Sequence, residues 1–118
     1  MEVTASAIRE LLDRPASKTP VTSVYLNTDG ARYPRPVDYE ARLDNLLRDA
    51  RRAAEKLGPD AAESVRRDTE AISRWVRNTF ERKGVRGLGL FASDGEIFEH
   101  LEVAVGVRNI ARVSDRPY

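Results

Sequence analysis

Few side chains in this sequence of 118 residues have the types and spacing that chemistry requires. Three glycines stand within six residues at the start of "GVRGLGLFASDGEIFEHLEV", beginning at Gly84, and glycines in such a run can cradle a phosphate. His100 is the single histidine, and the chain has no cysteine. A metal site would need a second histidine or a cysteine, and a nucleophilic site would need an oriented base. We therefore expect no catalytic residue, no cofactor and no metal ligand.

The order of the elements around the glycines favours a sheet over a phosphate loop. A phosphate loop places its glycines between a strand and the N-terminus of a helix, whereas here the glycines follow a helical pattern. The dipeptide Asp94-Gly95 separates two apolar runs, which is the usual signal of a β-hairpin. We predict antiparallel strands over 86–93 and 96–105. Gly87 and Gly89 are then predicted to leave room for close packing on the helices.

Two amphipathic helices are predicted ahead of these strands. Apolar residues recur at helical spacing over 39–57 and again over 65–80. The short segment 56–60 between them requires the two helices to lie antiparallel. A further short helix is predicted over 4–13, and the β-branched run "VTSVYLN" predicts a strand over 21–27.

Particular residues mark the ends of the two helices. Asp38 is placed to cap the first helix, and Gly58 is placed to end it. Asp60 and Glu63 have the spacing of a capping box at the start of the second helix. The elements together predict a single α+β domain over 1–118. Its architecture is a two-layer sandwich, in which a small mixed or antiparallel sheet has the long helix pair packed on one face.

The charge of the chain is nearly balanced, with 20 Lys and Arg against 19 Asp and Glu, so no overall field favours nucleic acid or a membrane. The helix pair is nevertheless rich in arginine, and guanidinium groups suit phosphate backbones. The alternative is a surface of salt bridges, in which Asp68 and Glu70 pair with neighbouring arginines. The candidate RNA-binding residues are Arg51, Arg52, Arg66, Arg67, Arg74 and Arg77.

The N-terminal sequence indicates a compartment. Met1 leads directly into polar and charged residues, without a signal peptide. No apolar run is long enough to span a bilayer. We expect a cytoplasmic protein with no membrane partner.

Three phrases carry a resemblance to a known family: "VTSVYLNTD" at the first strand, "RGLGLFAS" at the central strand and "VSDRPY" at the end. They stand in the order strand, two helices, glycine-bearing strand and hairpin, and with the helix pair they cover 21–118. This set resembles the N-terminal domain of the class I peptide chain release factor family of the eukaryotic and archaeal type. It is most similar to the bacterial, actinobacterial-type, and archaeal relatives of that family.

The resemblance implies a non-catalytic N-terminal module of a release-factor-like, ribosome-associated translation protein, acting in termination, rescue or hibernation. It implies ribosomal RNA and further domains of a longer chain as partners. In the family this domain precedes one with a Gly-Gly-Gln loop, which is absent here, and the helix tip "KLGPDAAES" does not match the family's Asn-Ile-Lys-Ser motif. Neither hydrolysis nor codon reading is therefore carried over. The alternatives are a protein-interaction or dimerisation domain without RNA contact and, less favoured by the residues, a small-molecule enzyme.

Overall fold

The computed structural model describes residues 19–115, which form a strand, two helices and three further strands. The predicted helix over 4–13 and the last three residues of "VSDRPY" lie outside the described residues. The strands are β1 (Val21–Asn27), β2 (Gly87–Ser93), β3 (Glu96–Val103) and β4 (Ile110–Ser114), and the helices are α1 (Pro36–Glu55) and α2 (Pro59–Asn78).

The four strands form one antiparallel sheet in the order β3-β2-β1-β4. The strand predicted over 21–27 is confirmed, and so is the hairpin between β2 and β3. Asp94 and Gly95 have φ values of 53° and 79°, as a two-residue type I′ turn requires. The fourth strand, β4, is an addition to the predicted elements, and it pairs with β1 at one edge of the sheet.

The other edge strand, β3, contains a β-bulge. Phe91 pairs with Glu99 and Ala92 pairs with Ile97, so the register shifts by one residue at Phe98. Such a bulge bends the strand and interrupts its regular hydrogen bonding.

The helix pair packs on one face of the sheet, which confirms the predicted two-layer α+β arrangement. Alternate side chains of the two central strands point toward the helices, because successive strand residues face opposite sides. Phe80 and Trp75 border this core as partly buried side chains. The buried residues shared by the two layers include Val24, Leu26, Leu43, Leu46, Leu47, Ile72, Val76, Leu88 and Leu90.

The predicted role of the β2 glycines is wrong. Leu88 and Leu90 point into the helix core, so Gly87 and Gly89, which alternate with them, lie on the opposite face of the sheet. A Cβ atom at Gly87 would lie 2.7 Å from the backbone oxygen of Val105. At Gly89 the nearest atom would be 3.4 Å away, in an aromatic ring. Gly87 therefore leaves room for the segment after β3 rather than for a helix.

Replacing Gly87 with alanine is expected to lower the free energy of unfolding by about 1–3 kcal/mol. The reason is that the added methyl group would overlap a backbone atom, which moves only if the segment after β3 shifts. Gly89→Ala is the matched control on the same strand and face, and its effect is expected to be smaller. Thermal denaturation of both variants measures the difference, and equal melting temperatures would contradict the close approach at Gly87.

The start of α1 differs from the prediction. The helix begins at Pro36, two residues before Asp38. Proline suits the first helical position because a backbone N–H there would have no partner within the helix, so its absence costs nothing. Asp38 acts from inside the first turn, where its Oδ2 accepts the backbone N–H of Arg35 at 2.9 Å. This hydrogen bond is the main cause that lowers the pKa of the Asp38 carboxyl.

The tip of the helix pair also differs. Gly58, with a φ of 109°, directly precedes α2, whereas α1 has already ended three residues earlier. Because α2 begins at Pro59, Asp60 lies within its first turn and the predicted capping box does not form. Glu63 instead pairs with Arg66 at 2.5 Å.

Candidate nucleic-acid interface

Arg66 on α2 is held between two carboxylates of its own helix. Its guanidinium lies 2.5 Å from Glu63 and 2.6 Å from Glu70. These pairs have the i,i+3 and i,i+4 spacing that brings side chains together on a helix, so the predicted pairing of Glu70 is confirmed. The two carboxylates raise the pKa of Arg66 and neutralise its charge locally.

Arg77 connects the two helices. Its Nη2 donates to both carboxylate oxygens of Asp44 on α1, at 2.8 and 2.9 Å. Glu40 lies 3.9 Å from its Nε, and Nη1 donates to the hydroxyl of Ser73. Arg77 is therefore engaged within the helix pair.

Arg67 and Arg51 make longer contacts. Arg67 lies 3.4 Å from Asp94 in the β2–β3 turn, and both side chains are exposed. Arg51 on α1 donates to the hydroxyl of Thr69 on α2 at 3.4 Å. The exposed pair of Arg67 and Asp94 contributes little to stability, whereas Arg51 is half-buried and contacts a buried threonine.

Arg52, Arg74 and Arg48 are exposed and make no ion pair or hydrogen bond within residues 19–115. Arg74 lines an open groove of about 490 Å³ between α2 and the start of β3. Arg48 and Arg51 line a second groove of about 380 Å³ between the two helices. Two of the six predicted arginines, Arg74 and Arg51, therefore line different grooves.

Asp68 does not pair with an arginine, contrary to the prediction. Its side chain is buried, its Oδ2 accepts the hydroxyl hydrogen of Thr22 at 2.9 Å, and its Oδ1 accepts the backbone N–H of Gly95 at 2.7 Å. Burial raises the pKa of the Asp68 carboxyl, and the two hydrogen bonds oppose that rise. Asp68 thereby joins α2 to β1 and to the hairpin turn.

Arg82, in the segment after α2, holds the chain ahead of α1. Its guanidinium donates to the backbone carbonyls of Thr28 at 3.4 Å, of Pro34 at 2.7 Å and of Tyr33. Its Cζ lies 5.3 Å from the ring centre of Tyr39, within the range of a cation–π contact. No local pattern in the sequence indicates this role of Arg82.

Further hydrogen bonds gather three connecting segments around the end of β1. The backbone N–H of Thr28 donates to the carbonyl of Arg86 at 3.0 Å, and that of Asn27 donates to Asn109 Oδ1 at 2.6 Å. The Nδ2 of Asn109 in turn donates to the hydroxyl of Tyr33 at 3.1 Å. We name this region the loop end, and it consists of segments 28–35, 79–86 and 104–109.

His100 contacts α2 from the sheet. It lies in β3, half-buried, with its ring 4.9 Å from that of Trp75, and its Nδ1 is buried without a hydrogen-bond partner. Among residues 19–115 no group of three or more histidine, aspartate or glutamate side chains is placed to hold a metal ion.

Comparison with known proteins adds no relative. No protein-family model matches the chain, and no curated protein matches its sequence. The resemblance to release factors therefore stays a prediction that rests on the phrases quoted above. Within the part of the chain that the structure describes, neither helix combines the length and the apolar character needed to cross a membrane.

Proposed function

We propose that this chain is the non-catalytic N-terminal module of a release-factor-like, cytoplasmic protein that works on the ribosome. The support is the resemblance over 21–118 together with the observed order of a strand, a helix pair and a hairpin, which the resemblance implies. On this proposal the partners are ribosomal RNA and further domains of its own chain.

The observation that supports an RNA contact is that some arginines of the helix pair have a carboxylate partner among the described residues and others do not. Arg52 and Arg74 are exposed without a carboxylate partner in the described residues, so each can neutralise a phosphate and release counterions. Arg66 and Arg77 must first separate from the carboxylates that hold them. We therefore place the contact on Arg52 and Arg74 ahead of the paired arginines.

Co-sedimentation with ribosomes over a salt series tests this function. The R52Q/R74Q variant is expected to pellet less than the wild type at moderate salt. The slope of log affinity against log salt is expected to fall by about 2, one for each lost phosphate contact. The R66Q/R77Q variant is the matched control, since it removes the same charge from side chains that are already paired, and its loss is expected to be smaller.

Three results would count against the proposal. An equal loss in both double variants would show that only the total charge matters. Failure of the wild type to pellet, or unchanged pelleting of both variants, would contradict RNA contact by the helix pair. The alternative of a protein-interaction or dimerisation domain without RNA contact would then be favoured.

A further inference from the structure

The charges of this nearly neutral chain are unevenly distributed. The tip of the helix pair, 55–63, has three acidic residues and one basic residue. The loop end has only two acidic residues, Asp29 and Glu81. Its six basic residues are Arg32, Arg35, Arg82, Lys83, Arg86 and Arg108.

Three of these basic side chains are accessible and have no carboxylate partner among the described residues, although the Cζ of Arg32 lies 6.0 Å from the ring centre of Tyr33. Arg32, Arg86 and Arg108 are exposed, and their guanidinium groups make no ion pair or hydrogen bond within the described range 19–115. The other two exposed cations, Arg35 and Lys83, each have a carboxylate within 3.1 Å. The unpaired guanidinium groups therefore have their donors available for a ligand.

The sixth basic residue, Arg82, makes no ion pair among residues 19–115. Its guanidinium donates to backbone carbonyls, and its side chain is partly buried. Salt screens such a charge less than it screens a fully exposed one. Arg82 therefore adds to the positive potential of the loop end.

The hydrogen bonds described above also fix where the accessible arginines stand. Arg86 lies directly before β2, and Arg108 lies two residues before β4. Both strands pair with β1, so the two arginines flank its end across about 10 Å. Arg32 belongs to the segment that continues β1. Hydrogen bonds from side chains already hold these segments in place. Binding of a ligand to the loop end therefore costs little further conformational entropy of the backbone.

We infer that the loop end is a further surface for contact with the RNA backbone, formed by Arg32, Arg86 and Arg108. This inference rests on the proposed function in taking RNA as the polyanion. The contacts are with phosphate oxygens, because the accessible groups are guanidinium forks. Of the two aromatic rings in the loop end, Tyr33 is buried and Phe80 is partly buried against the core.

Fluorescence anisotropy tests the inference on the chain of 118 residues. The probe is a fluorescein-labelled single-stranded RNA of about 20 nucleotides, which is longer than the stretch of RNA that one domain ordinarily covers. The R32E/R86E/R108E variant is expected to lose at least tenfold in affinity, and its salt slope is expected to fall by about 3. The matched control is R42E/R48E/K56E, which reverses three exposed cations of the helix pair that make no ion pair among residues 19–115 and that neither proposal places against RNA. Melting curves establish that each variant is folded, and the corresponding glutamine variants replace any that is not.

The outcomes separate this inference from the proposed function. Equal losses in both triple variants, a loss confined to the helix-pair variant, or no RNA binding by the wild type would overturn the inference. Binding to phosphatidylglycerol vesicles but not to RNA would also overturn it. If the loop-end variant alone loses RNA affinity but the wild type does not pellet with ribosomes, the inference stands and the proposed function fails.

Discussion

Replacing Arg82 with alanine is expected to lower the free energy of unfolding by about 2–4 kcal/mol. The guanidinium satisfies the carbonyls of Thr28, Tyr33 and Pro34, and its removal leaves the partly buried ones without a donor. It also removes the cation beside the ring of Tyr39. Urea denaturation measures the change in the free energy of unfolding. The dependence of that free energy on urea concentration shows whether the wild type and Arg82→Ala expose the same surface on unfolding.

Two further variants identify the cause. Arg82→Lys keeps the charge, but a single ammonium group cannot reach three carbonyls in the geometry of the fork, so most of the loss is expected to remain. Arg42→Ala removes an exposed arginine of α1 that makes no ion pair or hydrogen bond among residues 19–115, and its effect is expected to stay within about 0.5 kcal/mol. An Arg82→Ala variant as stable as Arg42→Ala would contradict the role of Arg82 in holding the loop end.

Replacing Asp68 with alanine is expected to cost about 2–4 kcal/mol, because it leaves two donors in a buried site without an acceptor. These donors are the hydroxyl of Thr22 and the backbone N–H of Gly95. Asp68→Asn is expected to cost less, since its amide oxygen can accept from Gly95 while its N–H donates to the Thr22 hydroxyl. Equal stability of wild type and Asp68→Ala would contradict the proposed link between α2 and the sheet.

The pH dependence of the Asp68→Asn variant gives a second readout of the same site. Burial raises the pKa of the Asp68 carboxyl, so the native state holds its proton more tightly than the unfolded state. The stability that the Asp68 carboxyl contributes is therefore fully present when the pH is below the carboxyl's ordinary pKa of about 3.9. This contribution is lost as the pH rises through the raised pKa of the native state. The stability of Asp68→Asn relative to wild type is expected to increase over that window, and a decrease would contradict the shift.

Local patterns in the sequence predicted most of the fold. The β-branched run before Asn27 and the Asp94-Gly95 turn each depend on neighbouring residues, and both elements were found where they were predicted. The strand β4 was missed because its five residues are placed by pairing with β1, which lies more than 80 residues earlier in the chain. The glycines of β2 were given the wrong role because their neighbours across space were not visible in the sequence.

The candidate interface shows the same limit. The pairing of Arg66 could be anticipated, since Glu63 and Glu70 stand at helical spacing. The pairing of Arg77 with Asp44 depends on how the two helices pack, and no local spacing indicates it. The carbonyl contacts of Arg82 likewise involve residues about 50 positions away.

The bulge in β3 has a consequence for self-association. An edge strand carries free backbone groups that a second chain could extend into a larger sheet, a common route to aggregation. Here the bulge at Phe98 breaks the regular row, and Glu99 Oε1 already accepts the N–H of His100 at 3.0 Å. A second copy would also bring its own Glu96, Glu99 and Glu102 against the same charges. This edge of the sheet is thereby protected from growing by addition of another molecule.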